Sequence, residues 1–259
     1  AIFREVMPDR FHRQVEIFQK GTDGVILIDG LPCDSELPDT PSKGGSLDEK
    51  YKKYYVSEAC VVGVASLLKG DIFNFRQEAF GQAPLVDNVV PVAALKKQKG
   101  AGGSDDNFPF HTESGFHRLT PNFLLLKGVR QDHYAKAETL VTEIRDVLCS
   151  LSRKQIDVLR QPIFKIGAPD LYLEMHGRGI PLGTEKEITT AVVFGDLFDS
   201  NNFQVTLNFN NMRSDDSVAM EVLQEMNKLL YKKAITYKLR ENNMVVLDNN
   251  YSAHTRNGY

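Results

Sequence analysis

The stretch FPFHTESGFH, residues 108–117, places His111 and Glu113 two positions apart within an aromatic run. In a β-strand, residues i and i+2 point to the same face, so both side chains can bind one metal ion as neighbouring ligands. A chain with six histidines and 34 acidic residues is expected to contain such a pair by chance. The pair becomes informative only through the rest of the chain.

Composition and charge are those of an ordinary globular protein. The chain has 259 residues, of which 42% are hydrophobic and 25% charged. Its net charge is −3, so the chain has no overall excess of the basic residues that bind nucleic acids or anionic membranes. The longest apolar stretches, 59–68 and 122–129, fall far short of the roughly 20 residues of a membrane span. We expect neither nucleic acid nor membrane as a partner.

The cysteines indicate the compartment. Cys33, Cys60 and Cys149 are odd in number and widely spaced, which argues against a disulfide framework or a thiolate metal site. We expect them to be buried thiols in the reducing environment of the cytoplasm.

Helical and β-type patterns alternate without an internal repeat or an interdomain linker. Helical spacing of apolar residues covers 2–20, 47–70, 135–161 and 217–234. β-rich runs dominate from 162 onward, and 234–256 reads as a strand, a turn and a further strand that leads to His254. The simplest architecture is one α+β domain over 1–259 that is mainly β.

Several familiar sites are missing from the sequence. It has no G-x-x-x-x-G-K-[ST] phosphate loop, no G-x-G-x-x-G, no G-x-S-x-G elbow and no H-E-x-x-H. Nucleotide binding through a glycine-rich loop, hydrolysis by an elbow serine and a helical zinc pair therefore have no support.

A third ligand would turn the His111–Glu113 pair into a catalytic metal site. Two histidines and one carboxylate on one triangular face form the arrangement of non-heme Fe(II) oxygenases, which leaves three coordination positions open. His254, in VVLDNNYSAHTR, stands late in the chain beside turn-forming polar residues, as such a ligand should. His117, at an even offset from the motif, and His176 are weaker candidates for the site.

Beyond this motif, most of the chain resembles, in order, the clavaminate synthase-like family of Fe(II)/2-oxoglutarate oxygenases, which hydroxylate free or carrier-bound amino acids. The similar segments are 26–41, 73–92, 110–132, 138–152 and 249–256. In 110–132, His-Thr-Glu is followed by a proline and then Arg-x-Asp, as in the family's metal-binding strand. One departure is Thr255, which stands where the family usually has glycine.

The resemblance implies a fold, cofactors and site residues. The expected fold is a double-stranded β-helix (jelly roll) with flanking helices, and the expected cofactors are Fe(II), 2-oxoglutarate and O₂. His111, Glu113 and His254 would bind the metal, and Thr139 would help to hold 2-oxoglutarate. The family's arginine that anchors 2-oxoglutarate would follow Tyr259, so we expect the chain to be trimmed at its C-terminus.

The resemblance also implies a free L-amino acid substrate that is hydroxylated at an unactivated carbon. Gln77, Glu113, Asp215 and Asp216 are the expected substrate-binding residues. Two adjacent carboxylates favour a basic substrate, lysine or arginine, with asparagine-like or other polar amino acids next, although an acidic first turn of a helix would also explain them. The alternatives are a desaturase or cyclase of the same family, and a jelly-roll binding protein without catalysis.

Overall fold

The computed structural model describes residues 5–21, 23–40, 52–73, 85–93, 96–97, 103–117, 120–168, 187–196 and 202–259. The helices are α1 (Asp9–Lys20), α2 (Val56–Leu67), α3 (Ile144–Leu148), α4 (Arg153–Leu159) and α5 (Ser217–Lys233). The strands are β1 (Val25–Asp29), β2 (Phe108–His111), β3 (Phe123–Lys127), β4 (Thr139–Glu143), β5 (Phe164–Gly167), β6 (Glu187–Thr190), β7 (Val193–Phe194), β8 (Gln204–Val205), β9 (Met212–Arg213), β10 (Ile235–Tyr237), β11 (Asn243–Asp248) and β12 (Ser252–Arg256).

The strands of the described residues form four antiparallel sheets. Their orders are β10-β4-β12-β2, β1-β11-β3, β6-β5-β9 and β7-β8. The fold is therefore mixed α+β, and this part of the prediction is confirmed. The sheets of the described residues do not join into a closed barrel.

The helix predicted over 135–161 is wrong in its first part. Thr139–Glu143 is strand β4, and helix begins only at Ile144. β-Branched residues fill the segment TLVTE, and β4 is hydrogen-bonded on one side to β10 and on the other to β12. Pairing with strands distant in sequence overrides the helical spacing, and it places Thr139 on the sheet that carries His254.

One face of the β10-β4-β12-β2 sheet packs against α5. Phe110 of β2 meets the ring of Tyr231 edge-on at 4.8 Å, and the hydroxyl of Thr142 in β4 donates to the carbonyl of Leu230. Ala253 of β12 lies in the same buried cluster. Since side chains alternate along strands, the next residues, His111 and His254, point to the opposite face. The hydrophobic contacts of α5 thus fix which face carries the histidines.

The second large sheet packs against α1 and α2. The residues buried between this sheet and the two helices include Val15, Phe18, Val64, Met244 and Val246.

Helix α5 confirms the helix predicted over 217–234. Within the described part of the chain, no helix combines the length and apolarity that a membrane crossing needs. Cys60 is buried as expected, whereas Cys33 and Cys149 are exposed thiols, so the expectation of burial is wrong for those two.

Beside this sheet, a buried ammonium group holds two carboxylates. Lys52 Nζ lies 2.9 Å from Asp34 Oδ2 and 2.6 Å from Glu58 Oε2, with 1% of the lysine side chain exposed. Asp34 also accepts the backbone N–H groups of Val56 and Ser57. It therefore ties the segment after β1 to the first turn of α2.

Candidate metal centre

The two histidines of the site come from neighbouring strands. His111 ends β2, His254 lies in β12, and the two residues are direct partners in the antiparallel pair. Their ring centroids are 4.3 Å apart. Thr255, the residue in place of the family's glycine, is buried, and its hydroxyl donates to the Phe108 carbonyl across the same pair of strands. Both rings are thus placed by the backbone ladder.

Glu113 is not on the strand, which corrects the expectation that His111 and Glu113 share one strand face. Strand β2 ends at His111, and residues 113–116 form a turn. Ser114 takes a positive φ of 55°, and His117 N–H closes the turn onto the Ser114 carbonyl at 2.8 Å. A turn, rather than the alternation of side chains along a strand, therefore places the Glu113 carboxylate beside His254.

A buried asparagine holds the backbone of Glu113. Asn249 Oδ1 accepts the Glu113 N–H at 2.7 Å, and Asn249 Nδ2 donates to the Glu113 carbonyl at 3.1 Å. The preceding Thr112 exchanges backbone and side-chain hydrogen bonds with Leu207. Sequence reasoning missed Asn249, although it stands in the polar turn before His254.

Three potential ligand atoms, one each from His111, Glu113 and His254, lie within 4.8 Å of one another. Glu113 Oε2 is 3.9 Å from His254 Nε2, too far for a hydrogen bond between them. Two imidazoles and one carboxylate are the donor set that suits a non-heme Fe(II) ion. The residues present therefore fit the metal that the resemblance implies.

The histidines are prepared as neutral ligands. His111 Nδ1 lies 2.9 Å from the Pro109 carbonyl, which can only accept a hydrogen bond, so Nδ1 carries the proton and Nε2 keeps its lone pair. Burial lowers the pKa of His111, against the opposing effect of the Glu113 carboxylate. Burial, together with the neighbouring His111, holds the pKa of His254 well below its usual value. Both rings can therefore offer a lone pair without first losing a proton.

The site is open on the side of its carboxylate. The Glu113 side chain is 38% exposed, against 10% for His254. The histidines lie deep against the sheet, and the carboxylate forms the rim. Small molecules can therefore approach the ligand atoms on the side of the Glu113 carboxylate.

Thr139 lies on the metal side of the sheet. In β4, Val141 is the direct partner of His254, and Thr139, two residues earlier, is the partner of Arg256. Directly opposed residues share a face, and so do residues two apart, so Thr139 and Arg256 point to the face that carries His254. The Arg256 guanidinium donates to the Asn257 carbonyl at 2.6 Å and lies over the ring of Tyr259. Its pKa is lowered by burial.

The two predicted acidic substrate residues have protein partners. Asp216 is the N-cap of α5 and accepts the Ala219 N–H at 3.0 Å. Asp215, with 77% of its side chain exposed, pairs with Lys165 at 2.5 Å and Arg213 at 3.8 Å. The cation of Lys165 lowers the pKa of Asp215. Their predicted contact with substrate stays a prediction.

His117, Gln77 and His176 are the remaining candidates from the sequence. His117 is buried but contributes no atom to the group of three ligands. Gln77 and His176 lie outside the described residues.

Comparisons with known proteins agree with this site. The L-asparagine oxygenase of Streptomyces coelicolor is 30% identical over 257 residues, which cover 96% of this chain and 70% of that protein. The L-lysine 3-hydroxylase of Catenulispora acidiphila is 25% identical over 256 residues, 96% of this chain and 67% of that protein. No protein-family model matches the chain.

Solved structures agree with the fold. A crystal structure of asparagine oxygenase with Fe(II), 2S,3S-3-hydroxyasparagine and succinate superposes with a TM-score of 0.81 at 27% identity, covering 97% of this chain and 74% of that one. The non-heme iron oxygenase OrfP with Fe and α-ketoglutaric acid gives 0.78 at 22% identity, over 97% and 74% of the two chains.

The fold and the His-x-Glu…His arrangement define a non-heme iron oxygenase that uses 2-oxoglutarate. The chain belongs to the clavaminate synthase-like family of Fe(II)/2-oxoglutarate oxygenases, whose members include amino-acid hydroxylases. The predicted family, enzyme class and cofactors are thereby confirmed.

Proposed function

We propose that this chain hydroxylates an unactivated carbon of a free L-amino acid, with His111, Glu113 and His254 as the ligands of Fe(II). The observation that carries the proposal is the convergence of these three side chains on one face of the β10-β4-β12-β2 sheet. The bound metal would supply the activation of O₂ in a reaction that also consumes 2-oxoglutarate.

The protein's own residues have three tasks in this proposal. The neutral His111 and the neutral His254 present lone pairs on a rigid sheet. Glu113 adds the negative charge that favours a divalent cation and leaves its side of the site open to cosubstrate and substrate. Val141, the cross-strand partner of His254, is buried with Val245 and Leu247 and so adds an apolar neighbour to the histidine side of the site.

Thr139 is the residue that we propose to contact 2-oxoglutarate. Its place on the metal side of β4, opposite Arg256, supports this role. A dianion needs a charge-assisted partner as well as a hydroxyl. The arginine that the resemblance places after Tyr259 is our proposal for that partner.

Two substrate classes are proposed. Asparagine is supported by the relative at 30% identity, an L-asparagine oxygenase. A basic amino acid is supported by the L-lysine 3-hydroxylase at 25% identity. For a basic substrate, Asp215 would have to exchange its contact with Lys165 for the substrate cation. Gln77 and Glu113 remain proposed contacts of the substrate in either case.

The test is succinate release with Fe(II), ascorbate and each of the twenty amino acids, using full-length protein. Stimulation by asparagine or by lysine or arginine would choose between the two classes, and stimulation by none would refute the proposal. A product mass increased by 16 indicates hydroxylation, whereas a loss of 2 indicates the desaturase alternative. His111→Ala, Glu113→Ala and His254→Ala should each abolish turnover with the fold retained, and full activity in one would remove that residue from the ligand set.

We also infer that the antiparallel sheets belong to a double-stranded β-helix within a single domain over residues 1–259. Superposition on asparagine oxygenase over 97% of the chain supports this architecture. The cytoplasmic location, expected from the unpaired cysteines, stays a prediction. A non-catalytic binding protein would bind 2-oxoglutarate without releasing succinate, so the same assay separates it from the enzyme.

A further inference from the structure

We propose that Asn249 is a positioning residue that fixes the metal-binding geometry of Glu113, an inference that rests on the proposed Fe(II) site. The need for such a residue follows from the difference between the ligands. His254 lies in a strand with a neighbour on each side, and His111 ends a strand that is paired with it. Glu113 lies in a turn and has no strand partner.

Asn249 takes the place of the missing strand partner. Its side-chain amide has the same donor and acceptor as a peptide group, and it bonds to both the N–H and the carbonyl of Glu113, at 2.7 and 3.1 Å. The second proton on Nδ2 goes to the Pro121 carbonyl at 3.0 Å. These partners settle the orientation of the amide, because the Glu113 N–H can only donate and the two carbonyls can only accept.

The amide is itself held in place. Asn249 is 4% exposed, and its own backbone N–H donates to the Asn122 carbonyl at 2.8 Å. It directly follows β11, whose last residue, Asp248, pairs with Phe123 of β3. The turn from Asn249 then leads into β12 and to His254. One short segment thus fixes the backbone of one ligand and carries another.

This arrangement predicts that the loss of the amide affects metal binding more than folding. Without the Asn249 amide, Thr112 keeps its bonds to Leu207 and the turn keeps its internal hydrogen bond from His117. The Glu113 peptide, however, loses both hydrogen bonds that tie it to the segment leading into β12. The Glu113 carboxylate would then have to be ordered at the moment the metal binds. Residues that orient metal ligands typically contribute about 10–100-fold to metal affinity.

Asn243 is a matched control at the opposite end of β11. It is also a buried asparagine, 5% exposed, and its side chain likewise closes a turn. Asn243 Oδ1 accepts the Arg240 N–H at 2.8 Å, and Nδ2 donates to the Lys238 carbonyl at 3.1 Å. Its replacement removes side-chain hydrogen bonds to the backbone at the other end of β11 without touching a metal ligand.

The experiment measures the Fe(II) dissociation constant anaerobically, by competition with a coloured chelator, and the thermal midpoint of each protein. Asn249→Ala should bind Fe(II) about 10–100-fold more weakly than wild type, whereas Asn243→Ala should bind it with unchanged affinity. Asn249→Asp has the same shape and keeps the acceptor for the Glu113 N–H. It replaces the Nδ2 donor by an oxygen, which cannot donate to the carbonyls of Glu113 and Pro121. It should also weaken Fe(II) binding, and it decides the question if Asn249→Ala does not fold.

Asn249 variants that bind Fe(II) as tightly as wild type would overturn the inference while the proposed function stands. An equal loss of Fe(II) affinity in Asn243→Ala would do the same, because the effect would then come from general destabilisation. A wild-type chain that binds no Fe(II) would overturn the proposed function, and this inference with it.

Discussion

Asp248 is a buried carboxyl group whose charge should make the stability of this protein depend on pH. It ends β11, is 7% exposed, and lies in the wall of a cavity of about 360 Å³ between the end of α1 and the β11–β12 turn. Burial raises its pKa from 3.8 to about 6, although the backbone N–H of Asn250, which donates to Oδ1 at 2.9 Å, acts in the opposite direction.

The sign and size of the effect follow from linkage. Since the folded protein holds this proton more tightly than the unfolded chain, ionisation of Asp248 costs stability as the pH rises from 3.8 to about 6. A pKa raised from 3.8 to about 6 corresponds to about 3 kcal/mol. The loss is small below pH 4, about 1.6 kcal/mol at pH 5, and nearly complete at pH 7.

Asp248→Asn removes the charge and keeps an oxygen for the Asn250 N–H. We therefore expect the free energy of unfolding of the variant, relative to wild type, to rise by about 2.4 kcal/mol between pH 4 and pH 7. Urea denaturation at half-unit pH steps measures this difference. Asp29→Asn is the control, since Asp29 is an exposed carboxylate at the end of the neighbouring β1. A difference between Asp248→Asn and wild type that stays constant over this pH range would refute the reasoning.

Two further predictions concern the buried ion cluster and the cosubstrate. Lys52→Met should lower the free energy of unfolding by about 3–5 kcal/mol, because it leaves Asp34 and Glu58 without their buried cation. The exposed Lys53→Met should cost at most about 1 kcal/mol in the same urea titration, and equal losses would contradict the role of burial. Thr139→Val should raise the KM for 2-oxoglutarate by roughly 10- to 100-fold, because the variant loses a hydrogen bond to a charged group. Its kcat should be nearly unchanged. An unchanged KM in steady-state kinetics would exclude the contact.

The residues of the metal site could be predicted from the sequence, but their local structure could not. His111 and Glu113 are recognisable as a possible ligand pair by their spacing, and the resemblance along the chain adds His254 to them. The strand geometry assumed for Glu113 was wrong, since the positive φ of Ser114 and the amide of Asn249 depend on contacts between distant segments. No local pattern encodes those contacts.

The β4 strand shows the same limit in the fold. The segment 138–152 has apolar residues at helical spacing throughout, and the structure divides it at Ile144 into strand and helix. The segment Thr139–Glu143 is a strand because it pairs with β10 and β12. Both partners come almost a hundred residues or more later in the sequence. The strand, turn and strand predicted before His254, by contrast, correspond to β10, the turn at 240–243 and β11, and His254 itself lies in the next strand, β12.

The metal site combines two kinds of support that suit different ligands. The histidines must stay neutral and fixed, and burial on a paired sheet provides both conditions, since it lowers their pKa and limits their motion. The carboxylate must leave room for molecules to enter, and the Glu113 side chain, 38% exposed, does so. The residues that follow in this turn are buried, but Glu113 itself has no strand partner to fix its backbone. The buried amide of Asn249 therefore follows from the chemistry of the site: it stabilises the backbone of Glu113 without covering the carboxylate.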